Sequence, residues 1–379
     1  MNKHNFDNEA INKHAELRGK IEIIPKAKVR TEEDLSIYYT PGVGAVSKLL
    51  ADSPEKAKDY TIKSNMVAVV SDGSAVLGLG DVGPEAAMPV MEGKAMLFKD
   101  LAGVDAFPIC LDTKDEDAIV ETVKNIAPVF AGVNLEDIAS PKCFEIERRL
   151  QEELDIPVIH DDQHATAIAV LAGLINALKV VGKEKHNCKA VIVGSGAAGS
   201  GVARLLDKWG IGDIIMVDSK GIISSQRGDL DPNKQKLLKM TNKNDEHGNL
   251  ADAIEGSDIF LGLSQGDLLN AGHISSMNSD PIVFAMANPT PEINPQVAID
   301  AGAKVVATGR SDYPNQINNV LVFPGMFKGA IESGTKSITD EIKLKASENL
   351  ASVVVEPTAD KIIPSVFDEG VVQAIVGAF

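Results

Sequence analysis

The chain has 379 residues, 44% hydrophobic and 24% charged, which supplies cores for about two domains and excludes a disordered tract. Fifty-four acids against 37 bases leave a net charge of −17. Such a surface excludes nucleic acid and anionic membranes as partners, and any anionic substrate must be drawn in by local positive groups or a metal.

The first residues, MNKHNFDNEAINKH, hold no apolar core of signal-peptide length. Residues 65–70, the Ser71-Asp72-Gly73 turn and residues 75–79 read as a β-hairpin with Asp-Gly in the turn. Residues 106–111 read as a strand, 116–126 as a helix, and 141–154 as a helix with Pro141 in the tolerant first turn. A short strand, 156–159, ends at His160-Asp161-Asp162. Residues 165–181 form the longest apolar stretch; Thr166, Asn176 and Lys179 interrupt it, so it reads as a buried helix and not a membrane span. Strand 189–193, a glycine turn, helix 199–209 and strand 213–217 follow, then apolar runs at 258–263, 282–285 and 304–307. Strands alternating with helices predict an α/β protein with a doubly wound parallel sheet. After Asn319 the pattern is helical again, for example over 339–354, and this tail is expected to pack back on the first domain. Cys110, Cys143 and Cys188 form no C-x-x-C pair, which fits reduced thiols in a cytoplasmic protein.

The pattern G-x-G-x-x-G occurs twice, and context separates the copies. Gly194-Ser195-Gly196-Ala197-Ala198-Gly199 follows a strand and opens a small-residue helix, and Asp218 ends the next strand 24 positions after Gly194. The glycines permit a tight turn and let helix N–H groups approach a pyrophosphate. An acid at 218 can bond the adenosine ribose hydroxyls and repels a 2′-phosphate, which favours NAD over NADP; nearby Lys220 softens that preference. The copy from Gly78 to Gly83 fails the same tests. Asp81 would sit beside phosphates, Pro84 and Pro89 disturb the helix that should follow, and the next strand-ending acid, Asp112, comes 34 positions after Gly78. It reads as a structural loop.

Glu136 and Asp137 precede a helix, and Asp161 and Asp162 close a strand. Acids gathered at one point are costly unless a cation sits among them, and hard carboxylate oxygens suit Mg²⁺ or Mn²⁺. Taken pair by pair, helix caps and dipole partners explain them equally well. His160 and His164 have the i, i+4 spacing of a zinc grip, but His160 lies at a strand end, so a structural role fits better.

From about Gly19 to the C-terminal helices the chain resembles malic enzymes, in particular the short bacterial form. Tyr38-Tyr39-Thr40-Pro41-Gly42-Val43-Gly44 resembles the family's tyrosine loop, and Gly78–Asp81 through Pro89–Lys94 its lysine segment. Asn134–Ile138 and His160–Thr166 resemble its two metal segments. Ala287-Asn288-Pro289-Thr290 and Asn318-Asn319-Val320 through Gly325 complete the set. The resemblance implies NAD-dependent oxidative decarboxylation of malate by a cytoplasmic homodimer or larger oligomer. It implies Tyr39 as general acid and Lys94 as general base. Glu136, Asp137 and Asp162 would bind Mg²⁺ or Mn²⁺, and Asn288, Asn318 and Asn319 would contact cofactor and substrate. It also implies a substrate and metal domain over 1–160, completed by 320–379, and a Rossmann-type NAD domain over 161–319.

For that chemistry a lysine must be neutral, which burial and neighbouring positive charge would favour. Two positions depart from the family pattern. Ala75 stands where larger members carry an arginine for a substrate carboxylate, and Ala165 where a glycine is usual. An oxaloacetate decarboxylase on the same scaffold would need the metal, Lys94 and Tyr39 but no net redox step; the glycine turn and Asp218 favour NAD use. A catalytically idle dinucleotide-binding protein would lack one of the acid, base or ligand residues, and all are present.

Overall fold

The computed structural model describes residues 3–76 and 78–379. Runs of Val, Ile and Ala build two sheets among them. The first comprises β1 (Met66–Ser71), β2 (Asp105–Cys110), β3 (Gly132–Leu135) and β4 (Val158–His160) in the order β2-β1-β3-β4, all parallel. The second comprises β5 (Lys189–Val193), β6 (Asp213–Asp218), β7 (Gly221–Ile222), β8 (Ile259–Gly262), β9 (Ile282–Ala285) and β10 (Val305–Thr308) in the order β10-β9-β8-β5-β6-β7. Its strands are parallel except β7, which turns back on β6. The strand order reverses between β5 and β8, the place where α/β sheets bind ligands outside their carboxyl ends. The doubly wound α/β architecture expected from the alternation of strands and helices is therefore present.

Three local expectations fail. No hairpin forms over 65–79: β1 pairs in parallel with β2 and β3, and an isolated bridge from Val76 to Gly80 is all that follows the Asp-Gly turn. Leu77 of the expected second strand lies outside the described residues. Being buried throughout, Val67–Ser71 takes the central position that an apolar run favours over a half-exposed hairpin arm. Pro84 and Pro89 do not prevent a helix. Pro84 opens the helix Pro84–Ala102, where its missing N–H costs nothing, and Pro89 lies inside it. The long apolar helix begins at Asp161 and not at 165, directly after β4.

That helix, Asp161–Val181, is buried along most of its length and belongs to a core that draws on both sheets. Gly201 of the helix Ala197–Trp209 lies where any Cβ would collide with the backbone carbonyl of Gln163, so the two helices touch backbone to backbone. The tail forms helices Phe323–Ser333, Asp340–Ser352 and Val371–Val376. Phe323 and Phe327 meet Phe98 edge-on, with ring centroids 4.7 and 5.5 Å away. The fully buried Asn176 donates to the carbonyls of Ala351 (2.8 Å) and Ile362 (2.9 Å), tying tail to core helix.

Replacing Asn176 by Leu keeps the volume but strands two buried carbonyls. It is expected to destabilise the protein by about 2–5 kcal/mol, read as a lower thermal unfolding midpoint.

Candidate active site

Lys94 lies on the apolar face of its helix, in line with Ala87, Met91, Ala95, Phe98 and Ala102, so the fold buries its ammonium and must neutralise it. Asp161 Oδ2 lies 2.6 Å from Lys94 Nζ and Glu136 Oε1 lies 2.8 Å away, while the Phe323 ring centroid lies 4.2 Å from it. Asn319 Nδ2 donates to the same Asp161 oxygen at 2.5 Å. Burial works against the charge on Lys94, but Asp161 and Glu136 overcome it and hold the pKa above the usual lysine range. The expectation of a neutral amine is corrected here: the neighbours are carboxylates, not cations.

β3 and β4 are adjacent and parallel, so the residues after them emerge side by side. Glu136 and Asp137 follow β3; Asp162 stands in the first turn after β4. One oxygen from each of Glu136, Asp137 and Asp162 lies within 4.8 Å of the others. Asp137 sits in the left-handed region (φ 53°), which aims its backbone N–H at Asp162 Oδ2, 3.3 Å away. Burial, with Glu136 and Asp162 adding to it, pushes the Asp137 carboxyl up to about 9. Burial likewise raises Glu136, against Lys94, and raises Asp161. The buried side-chain atoms without a partner among the described residues are Asn134 Oδ1, both ring nitrogens of His160, and Asp161 Oδ1, all within these two segments. Crowded hard oxygens with orphaned polar atoms beside them fit a divalent cation and its water.

His160 precedes the helix and is fully buried, and His164 lies inside it. His164 Nε2 is 2.9 Å from Glu147 Oε1, and Glu147 also accepts from the His160 backbone (2.7 Å) and from Gln163 (2.9 Å). His164 thus braces the segment through Glu147 and is not part of the carboxylate cluster.

The second glycine turn follows β5 at the reversal of strand order. A Cβ at Gly194 would lie 2.5 Å from the Leu263 carbonyl, and one at Gly199 would strike the Gly194 carbonyl. Gly196 offers no side-chain cap to the helix Ala197–Trp209, so its first N–H groups face outward, as a pyrophosphate requires. Asp218 ends β6 but is not free: Arg227 (2.7 and 3.1 Å) and Lys234 (2.8 Å) bind its carboxylate. Lys220 directs its ammonium to Asp229 and only its backbone N–H to Asp218. The cations beside Asp218 are therefore residues that no sequence spacing singled out. In the first glycine copy a Cβ at Gly78 would come within 3.3 Å of the Asn288 carbonyl.

A cavity of about 190 Å³ is bordered by Ala198, Ser264 and Asn288, and a cleft of about 700 Å³ by Lys94, Glu136 and Asp137. Asp162, Asn318 and Asn319 border both, so the glycine turn and the carboxylate cluster open on one continuous site. Asp218 borders neither cavity, nor does Tyr39. It follows a short helix, Glu32–Tyr38, capped reciprocally by Thr31 and Asp34, and it is 66% exposed and absent from the cleft wall. The contacts by which Asp161 and Phe323 hold Lys94, and the place of Lys20 in the cleft lining, were also not anticipated.

Lys94→Met would strip two buried carboxylates of their counter-charge. In chelator at pH 8 a loss of roughly 3–5 kcal/mol is expected. The folded variant then holds protons that the unfolded chain has released, so stability returns as pH falls towards 5. Thermal unfolding of both proteins across that range, with the gap narrowing at low pH, checks the sign.

The sequence profile described as malic enzyme, N-terminal domain, matches residues 18–118 and 113–151, and that described as malic enzyme, NAD binding domain, matches residues 163–373. An NAD-dependent malic enzyme of Geobacillus stearothermophilus is 55% identical over 94% of this chain and 75% of its own. A bifunctional malic/malolactic enzyme of Bacillus subtilis is 52% identical over 98% of this chain and 91% of its own. The crystal structure of an NAD-dependent malic enzyme from Thermotoga maritima superposes with a TM-score of 0.95 at 47% identity, covering 97% of this chain and 98% of that one.

Proposed function

The chain belongs to the malic enzyme family, and on that premise we propose how its own residues carry the reaction. The enzyme oxidatively decarboxylates malate to pyruvate and CO₂ with NAD and a divalent metal. One observation carries the residue assignment: a buried lysine touches a three-carboxylate cluster in a cleft continuous with a dinucleotide-type glycine turn.

Glu136, Asp137 and Asp162 would hold Mg²⁺ or Mn²⁺, residues 194–199 would cradle the pyrophosphate of NAD, and Asp218 would take its adenosine ribose. Bound there, the cation supplies Lewis acidity at the substrate hydroxyl oxygen and NAD supplies the hydride acceptor. If a bound cation engaged Glu136, Lys94 would keep Asp161 as its main counter-charge and would release its proton to solvent more easily. Lys94 then accepts the hydroxyl proton of malate. Asn319, through Asp161, keeps the amine aimed, and the Phe323 ring shields it from water. Asn288 and Asn318 bind the nicotinamide side and the substrate. After CO₂ departs, Tyr39 returns a proton to C3.

For Tyr39 to do so the protein must be at least a homodimer. Ile23, Ile24, Val29, Leu35, Ile37, Tyr38 and Val43 are all exposed on the segment that carries it, an apolar face of the kind that oligomers cover. We assign that segment to a partner's surface, with Tyr39 reaching the partner's Lys94. The functional division runs over residues 1–160 with 320–379 for substrate and metal, and 161–319 for NAD. The enzyme works in the cytoplasm.

Purified protein should form NADH from malate, followed by absorbance, only with NAD and Mn²⁺ or Mg²⁺ present, and Lys94→Ala should lose this while still binding NADH by fluorescence. Tyr39→Phe and Lys94→Met should each be nearly inactive. Refolded together they should regain about a quarter of wild-type activity, since half the dimers then hold one intact site of two. No recovery on mixing would place both residues in one chain.

A further inference from the structure

We propose that Lys20 is the cation that receives the substrate carboxylate remote from the metal cluster, an inference that rests on the malate-oxidising reading above. Lys20 Nζ donates to the carbonyl of Pro89 at 2.6 Å, within the helix that carries Lys94. A Cβ at Gly93 would come within 3.3 Å of that ammonium, so glycine lets it lie against the helix at the residue next to Lys94. The Lys20 backbone N–H donates to Glu92 at 3.1 Å and fixes the segment.

Lys20, Gly93, Lys94, Glu136, Asp137 and Asp162 line one cleft. Of the two ammonium groups there, that of Lys94 is committed to Asp161 and Glu136. Among the described residues the hydrogen bond of the Lys20 ammonium goes to a carbonyl, which does not neutralise it. Burial draws its pKa below the usual lysine range, with Glu92 opposing, as for a charge already partly stripped of water. A doubly anionic substrate entering a cleft with three carboxylates needs such a group. Ala75 cannot supply it.

A lysine also suits the chemistry. The remote carboxylate loses its charge on becoming CO₂, so a cation bound to it stabilises the ground state more than the transition state. One ammonium selects a dicarboxylate without the bidentate grip of a guanidinium.

The test uses the Mn²⁺-loaded enzyme. In Lys20→Met the KM for malate should rise about ten- to a hundredfold, with kcat and the KM for NAD little changed. Calorimetric titration without NAD should show the same loss for malate, but affinity within about twofold of wild type for oxalate, which has no remote carboxylate. Lys20→Arg should recover most of the malate affinity. An unchanged malate KM in Lys20→Met, or equal losses for malate and oxalate, would overturn the assignment. A wild-type enzyme that forms no NADH from malate would instead strike the underlying reading.

Discussion

Four carboxylates and one ammonium crowd together beyond the carboxyl ends of β3 and β4, and the site is organised around that imbalance. Glu136, Asp137, Asp161 and Asp162 surround Lys94, which can satisfy two of them. Like charges at such spacing in a medium poorer than water in screening cost several kcal/mol, so the acids either take up protons or acquire a cation. Asp137, driven up to about 9, takes the first course when nothing else compensates it. The crowding is enforced by covalent topology: β3 and β4 run side by side, and each delivers its acids at its carboxyl end.

The same topology explains why the cofactor turn and the cluster open on one cavity. β5 is the next strand after the helix whose first turn holds Asp161 and Asp162, and the glycine turn lies at its carboxyl end. Asn318 and Asn319, at the start of the tail, close the gap from the other side. Lys94 enters from a third direction because its helix presents an apolar face to Phe323. Four segments distant in sequence therefore converge without any long unstructured loop among them.

Much of this was legible in the sequence, for physical reasons. The glycine turn is dictated by steric clearance, which no other residue can imitate, and the two acid pairs are local features, though only Asp161-Asp162 was read at a strand end; the strand before Glu136 was missed. What was not legible depends on tertiary partners. Arg227 and Lys234 reach Asp218 from a loop and a helix whose spacing signals nothing. Whether Lys94 is charged depends on Asp161, whose position follows from a helix beginning four residues earlier than its apolar run suggests. The expected hairpin failed because an Asp-Gly pair marks a turn without naming the strand's neighbours, and burial on both faces decided in favour of parallel pairing. Tyr39 was singled out only by its resemblance to a tyrosine loop; that it follows a short helix and stands exposed is a matter of tertiary structure.

The contact between Gly201 and Gln163 has a mechanical consequence. Helices separated by side chains can slide over one another by changing rotamers; helices in backbone contact cannot, because no soft layer lies between them. One of the pair starts at Asp162's turn and the other at the glycine turn. They form a single stiff block that fixes the span between the carboxylate cluster and the glycine turn. Any opening and closing of the cleft must then be hinged outside the block, and the span from the carboxylate cluster to the glycine turn is inherited from the packing of two helices.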